Sequence, residues 1–196
     1  KEPVDNRSDI FALGLVAYGH RVKGDCSDVE TLVPAGSDDR QALLAAVAGL
    51  SPKGKTPMAA SVQQTAQALK SKENETTIVL VSDGIETCHD DPCAAIKALK
   101  QSGIKFVLHV VGFDVDAQGT EQLSCLAAAG GGKYFSAGDA AGLTAALEAV
   151  QADVARKVEK AKTKKVATVS KLGKLEITLP EGSAKSLAGV KIVRKS

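Results

Sequence analysis

Thr76-Thr77-Ile78-Val79-Leu80-Val81-Ser82-Asp83-Gly84 decides the fold of this chain. An unbroken β-branched and aliphatic run that stops at Ser-Asp-Gly predicts a strand of a parallel sheet, covered on both faces, with a carboxylate at its carboxyl end. In open α/β sheets the crevice beyond those ends is where ligands bind, because helices cover the faces and only the loops converge there. Asp83 is therefore a candidate site residue. Asp-Gly also makes a tight turn without any ligand, so the placement has to be judged with its neighbours.

Working outward, Ile10–Tyr18 and Val29–Val33 read as two strands joined through the Gly24-Asp25-Cys26 turn, a hairpin at a sheet edge. Asp38-Asp39-Arg40 opens a helix through Leu50, with apolar residues at 43, 44, 47 and 50. The segment 51–57 holds two prolines and a glycine and reads as a loop, followed by a helix from Met58 to Lys70. After the central strand, taken as 77–82, come a helix over Pro92–Gln101 and a strand over Lys105–Gly112. A helix from Thr120 to Ala129 is expected to stop at Gly130-Gly131-Gly132. Tyr134-Phe135 marks a short last strand, and Ala140–Lys162 a helix with a highly charged outer end. Strands alternating with helices predict an α/β fold: a doubly wound, mostly parallel, Rossmann-like sheet with helices on both faces. Leu175–Leu179 and Val190–Val193 instead alternate with period two around Pro180-Glu181-Gly182, an antiparallel hairpin. The expected organisation is a domain over 1–152, a charged helix end and linker over 153–170, and the beginning of a β-sandwich-like domain over 171–196.

With 196 residues, 44% hydrophobic and 24% charged, the chain can bury a substantial core. Aromatics make up only 3% and Trp is absent, which leaves no stacking platform for bases and sets nucleic acid aside. Residues 1–150 carry 13 Lys and Arg against 19 Asp and Glu, net −6, whereas residues 151–196 carry 12 against 4, net +8. The acidic part suits cations; the basic part reads as a solvated helix and linker. No apolar run approaches the roughly 20 residues of a membrane span, and Lys1 opens no signal peptide. Cys26, Cys88, Cys93 and Cys125 form an even set, which predicts two disulfides and an oxidising compartment, periplasmic or extracellular. Two pairings are equally compatible with the chain: Cys88–Cys93 with Cys26–Cys125, or Cys26–Cys88 with Cys93–Cys125. The spacing of Cys88, His89 and Cys93 matches no common zinc site.

Three features now fall at one end of the sheet: Asp83, the Lys55-Thr56-Pro57 loop, and Asp114 with Asp116 after another strand. Hydroxyl and carboxylate oxygens suit magnesium, calcium or manganese. Here the chain resembles the von Willebrand factor A domain, and more closely its bacterial secreted branch. The resemblance is carried by GLVAYGHR (14–21), GDCSDVE (24–30), PKGKTPMAAS (52–61), VLVSDGIETC (79–88), DPCAAIKALK (91–100), HVVGFDV (109–115) and GGKYFSA (131–137). It covers about residues 8–150. It implies a non-enzymatic binding or adhesion module, in which a Mg2+, Ca2+ or Mn2+ ion is completed by a carboxylate of a protein or peptide ligand. Thr56 matches the family's threonine ligand and Asp83 its aspartate, with Ser82, Gly84, Glu86 and Asp114 as rim candidates. The family's Asp-x-Ser-x-Ser element, borne on a central first strand, has no counterpart; Asp5-Asn6-Arg7-Ser8 has the wrong spacing. The resemblance therefore implies a sheet that leaves a gap between strands 10–18 and 77–82 or draws them together, and a chain that is poorly stable alone or borrows a strand from another copy.

Blander roles compete for several of these residues. A metal-dependent hydrolase or phosphoryl-transfer enzyme would also use Asp83, but no nucleophile paired with a base is evident, and a structural domain with a degenerate site is the third reading. Gly54-Lys55-Thr56 lacks the upstream glycine and the preceding strand of a P-loop. His109 reads as a core histidine, His20 as part of the hairpin turn, and Thr56 also as an N-cap ahead of Pro57. Glu86, Asp90, Asp91, Asp114 and Asp116 could simply solvate the rim.

Overall fold

The computed structural model describes residues 13–37, 39–70 and 76–171, with side chains to residue 160. The period-two segments at 175–179 and 190–193, and the start of the strand expected from Ile10, lie outside the described residues. The chain divides into two compact units, residues 1–150 and 151–196.

The first unit begins with β1 (Leu15–Tyr18) and β2 (Val29–Val33), an antiparallel hairpin pairing Tyr18 with Val29 and Val16 with Thr31. Helices α1 (Arg40–Ala48) and α2 (Met58–Ala68) lead into β3 (Thr76–Ser82). Then α3 (Pro92–Gln101), β4 (Phe106–Phe113), α4 (Ala117–Ala129) and β5 (Gly131–Ala137) alternate before the long α5 (Ala140–Lys171). β3, β4 and β5 form a parallel sheet in that order, with Leu80 opposite Val110 and Val111 opposite Phe135. Parallel neighbours need a crossover of a dozen or more residues, which α3 and α4 with their loops supply.

Two apolar layers make the sheet doubly wound. Ile78, Leu80, Phe106, Leu108 and Val110 face Met58 and Val62 of α2, Ile96 and Leu99 of α3, and Leu123 and Leu126 of α4. The alternate residue Val111 packs on the other face with Ala137 and with Ala146 and Leu143 of α5. In this way the helices cover β4 on both sides; its first seven residues are all buried. β3 departs from the expectation, because Val79 and Val81 remain 38% and 41% exposed. The first turns of α5 cover the β4 and β5 side of that face, so the continuous apolar run of β3 is half-buried, and β4 is the strand that fits the fully covered pattern.

α4 ends at Ala129 against the triple glycine, as expected. Only Gly130 caps α4; Gly131 and Gly132 open β5. A Cβ on Gly132 would lie 1.9 Å from the Leu108 carbonyl oxygen, so glycine lets β5 meet β4 directly after the helix. α4 also starts earlier than Thr120, at Ala117, because Asp116 accepts from the Gly119 amide at 2.8 Å and caps it.

β1–β2 and β3–β4–β5 are separate sheets: among the described residues no ladder joins β1 to β3. Of the two outcomes expected, a gap or strands drawn together, the described residues show the two strands unpaired with each other. Tyr18 links the two sheets, its hydroxyl donating to the Val81 carbonyl at 2.9 Å. Burial, above all, pushes the Tyr18 pKa up to about 12, with the Asp83 and Glu86 charges adding to the rise and a Ser82 hydrogen bond opposing it. The phenol thus keeps its proton at neutral pH and remains a donor.

The hairpin is held by a buried carboxylate. Asp28 is 1% exposed, and accepts from the Arg21 amide at 2.7 Å, the Val22 amide at 3.0 Å and Arg21 Nε at 2.7 Å. The Val22 amide foremost, then the Arg21 side chain and amide, outweigh burial and hold the carboxyl well below the usual carboxylate range. A depressed carboxyl contributes stability above the ordinary range near pH 4 and loses it as pH falls toward the folded value. Unfolding of the wild type and Asp28→Asn between pH 7 and pH 2 should therefore show a wild-type advantage at neutral pH that shrinks below about pH 4. A constant difference across that range would remove Asp28 from the acid response.

In the second unit the described residues are the remainder of α5, where Asp153 pairs with Arg156 at 3.1 Å and Lys157 at 3.6 Å.

Candidate functional site

Three loops meet at the carboxyl end of β3. The first leaves β1 at Gly19, whose φ of +62° suits glycine and whose Cβ would stand 2.1 Å from the Lys55 carbonyl oxygen. Lys53 donates its amide to the Gly19 carbonyl at 2.8 Å, so the 51–57 loop lies against the end of β1. The second link is Thr56, whose amide donates to Thr87 Oγ1 at 2.8 Å while the Thr87 amide donates back to the Thr56 carbonyl at 3.4 Å. This lacing brings the Thr56 loop to the loop that begins with Asp83, at one edge of the sheet.

Glu86 builds the third link. It is 7% exposed, and its carboxylate accepts from the Ala59 amide at 2.8 Å, the Cys88 amide at 2.8 Å and the Thr87 amide at 3.1 Å. Its own amide donates to Gln122 Oε1 of α4 at 2.7 Å. The first turn of α2 is capped by this carboxylate from a distant loop, where its charge also complements the helix dipole. Pro57 is the N-cap residue and gives no side-chain hydrogen bond, so the capping role considered for Thr56 belongs to Glu86. Glu86 is accordingly an internal brace and lies off the rim.

Ser82 is buried, its hydroxyl donating to the Gly84 carbonyl at 3.1 Å and accepting the Gly84 amide at 3.4 Å, which turns the chain directly after β3. Asp83 stands exposed on that turn. It lines a cleft of about 280 Å³ with Tyr18, Val81, Ser82, Phe113 and Leu143. Asp114 is exposed at the end of β4 with φ +48°, its amide donating to the Ala137 carbonyl at 2.8 Å. Asp91 and Asp116 cap α3 and α4. His20 sits in the hairpin, 3.2 Å from Glu30. His109 is buried in β4, its Nδ1 accepting the Lys133 amide at 3.2 Å, and is a core histidine.

Cys26 is bonded to Cys88 and Cys93 to Cys125. Of the two pairings left open, the fold selects this one because Cys93 opens α3 against α4, near Gln122, while Cys88 turns toward the hairpin. Cα separations of 5.6 Å and 5.9 Å suit both bridges.

Tyr18, Thr87 and Gln122 complete the site and were not singled out from sequence. Only Tyr18 carried a signal, as one of two tyrosines in the chain, placed at a strand end. Among the described residues no group of three or more His, Cys, Asp or Glu side chains gathers to hold a metal ion. Asp83 and Thr56 bring hard oxygens of the right chemistry, two where such a cation takes about six.

The family model described as von Willebrand factor type A domain matches residues 4–149. Two Bacillus subtilis proteins are similar: uncharacterized protein YwmD, 32% identical over 117 residues (59% of this chain, 52% of YwmD), and uncharacterized protein YwmC, 29% identical over 114 residues (57% of this chain, 49% of YwmC). The chain spans about half the length of these curated relatives. The crystal structure of an uncharacterized membrane spanning protein from Vibrio fischeri is 21% identical, with a TM-score of 0.35 over 71% of this chain and 74% of that one.

Proposed function

This chain belongs to the von Willebrand factor type A family, and from that membership we propose a non-enzymatic binding module that takes a protein or peptide ligand at the carboxyl end of β3. The observation that carries the reading is the lacing of Thr56 to Thr87, which draws the threonine loop to the loop of Asp83. The ligand offers a carboxylate, and binding depends on a divalent cation. Thr56 and Asp83 would contribute two of the oxygens that hold it. Such an ion, when bound, is a hard Lewis acid that attracts a carboxylate. The protein's own part is positional: Glu86, Thr87 and the Cys26–Cys88 bridge fix the loops, and Ser82 turns the chain so that Asp83 faces the cleft.

Two disulfides are compatible with an oxidising compartment, which supports placing the module in the periplasm or outside the cell. No described helix is long and apolar enough to cross a membrane.

Titration calorimetry with Mg2+, Mn2+ and Ca2+, with and without a glutamate-bearing peptide, tests the reading. We expect cation binding that Asp83→Asn removes and Thr56→Ala weakens roughly ten-fold, the loss of about one ligand interaction. Cation binding that survives both substitutions would remove the site from this edge of the sheet; peptide binding unchanged by chelator would remove the cation from the function.

A further inference from the structure

The hairpin turn and the Thr56 loop are pressed backbone to backbone. The Lys53 amide donates to the Gly19 carbonyl at 2.8 Å, and a Cβ on Gly54 would stand 2.9 Å from the Gly24 amide nitrogen and 3.3 Å from Lys23 Cα. This approach sets Lys23 of the turn beside Lys53 and Lys55 of the loop, all three exposed, in the residues that lead directly to Thr56. Among the described residues none of the three takes part in an ion pair. The acidic side chains of the same hairpin are engaged elsewhere. Asp28 holds Arg21 at 2.7 Å, Glu30 lies 3.2 Å from His20 and 3.5 Å from Arg21, and the Asp25 carboxylate accepts the Ser27 amide and hydroxyl, each at 2.7 Å.

Residues 1–150 carry a net charge of −6, so these three cations gather against the sign of their own domain. Like charges set side by side repel, and an anion laid over them relieves the repulsion. The gathering is also one-sided. Asp83 and Asp114 are exposed at the ends of β3 and β4, which makes this end of the fold basic on the hairpin side and acidic beyond β3. The loop amides of Lys53 and Thr56 are already given to Gly19 and Thr87, so they form no cradle for a phosphate group. Separate ammonium groups on flexible stems suit separate carboxylates along a chain.

From these observations we propose that Lys23, Lys53 and Lys55 form a cationic shelf that reads acidic residues flanking the ligand's coordinating carboxylate, so that the partner is an acidic protein segment. The proposal rests on the binding reading of the Thr56 and Asp83 edge, and adds the partner's chemistry to it. The segment's central carboxylate would go to the cation, and its acidic flank would run over the lysines toward the hairpin. Asp83 and Asp114 repel an acidic flank laid the other way, which fixes the direction of the segment. Exposed pairs of this kind are screened by salt, so the shelf acts on selectivity and most strongly at low ionic strength.

The test uses the full chain with Mn2+ and glycine- and serine-based peptides: one with a single glutamate, and two in which three aspartates precede or follow that glutamate. Each is titrated by calorimetry at about 0.05 M and about 0.5 M salt, into the wild type and into Lys23→Gln/Lys53→Gln/Lys55→Gln. Three exposed ion pairs should make at least one aspartate peptide about ten-fold tighter than the single-glutamate peptide at the lower salt, a preference that should shrink to about two-fold or less at the higher. The triple variant, with its melting temperature unchanged, should lose the preference at low salt; the salt dependence of the wild type reads the same point without any variant. A preference absent from the wild type, or kept in the variant, would overturn the shelf and leave the cation site standing. A preference kept when chelator is added would uphold the shelf and overturn the cation instead, and no binding of any peptide would overturn both. Linear polyphosphate held more tightly than either aspartate peptide, through the same lysines, would overturn the protein segment as the partner.

Discussion

Glu86→Ala should lower the stability of the protein by about 3–5 kcal/mol, because three backbone amides lose one carboxylate together. Hydrogen bonds to a charged group contribute about 1.5–3 kcal/mol each, and buried donors left without a partner carry their desolvation cost as well. The three are not additive, since they share one side chain, which keeps the expectation below their sum. With the charge go the cap of α2 through the Ala59 amide and the fold of the Thr87–Cys88 loop. Glu86→Gln should recover only part of the loss, since an amide has one acceptor oxygen for amides that meet both carboxylate oxygens. Denaturant unfolding of the three proteins, with amide exchange at Ala59, Thr87 and Cys88, checks this. A loss below about 1 kcal/mol, with those amides still protected, would show that Glu86 is not the brace.

Cys26→Ser with Cys88→Ser should cost about 4 kcal/mol, and lower the melting temperature by about 8–16 °C, from the loop entropy returned to the unfolded chain. The two cysteines are 62 residues apart, whereas Cys93 and Cys125 are 32 apart, so the first bridge is expected to matter slightly more for stability. Their effects on the site should differ far more. Cys26–Cys88 joins the hairpin turn to the Asp83–Cys88 loop, and Cys93–Cys125 joins α3 to α4. Loss of the first should therefore raise amide exchange at Thr56 and Thr87, and loss of the second should leave those amides protected. Calorimetry and exchange on the two double variants decide it. Equal loosening of Thr56 and Thr87 in both would show that the bridge does not fasten the site loops.

Most of the strand and helix order could be read along the chain because those elements follow from local chemistry. The Val, Ile and Leu runs at 76–82 and 106–113 form neighbouring parallel strands, and Pro92, Gly103 and the helical spacing between them bound α3 to within a residue or two. Asp83 was legible for the same reason, since a carboxylate immediately after such a run sits at a strand end wherever the strand goes. The Glu86 brace was not, because its partners at Ala59 and Gln122 lie 27 and 36 residues away and no local pattern names them. The glycine run was legible as a helix stop, but the role of Gly132 was not, because its need for space comes from Leu108 in another strand.

By itself the sequence determined which segments become strands and helices, that the four cysteines form two bridges, and that Asp83 ends a strand. These depend on propensity, periodicity and residue chemistry, which act over a few positions. Only the tertiary structure decided which cysteines meet, that Glu86 faces inward while Asp83 lines the cleft, and that Tyr18 reaches the Val81 carbonyl of β3. Those outcomes depend on which surfaces pack together, and a carboxylate becomes a brace where distant amides converge on it, as they do on Glu86.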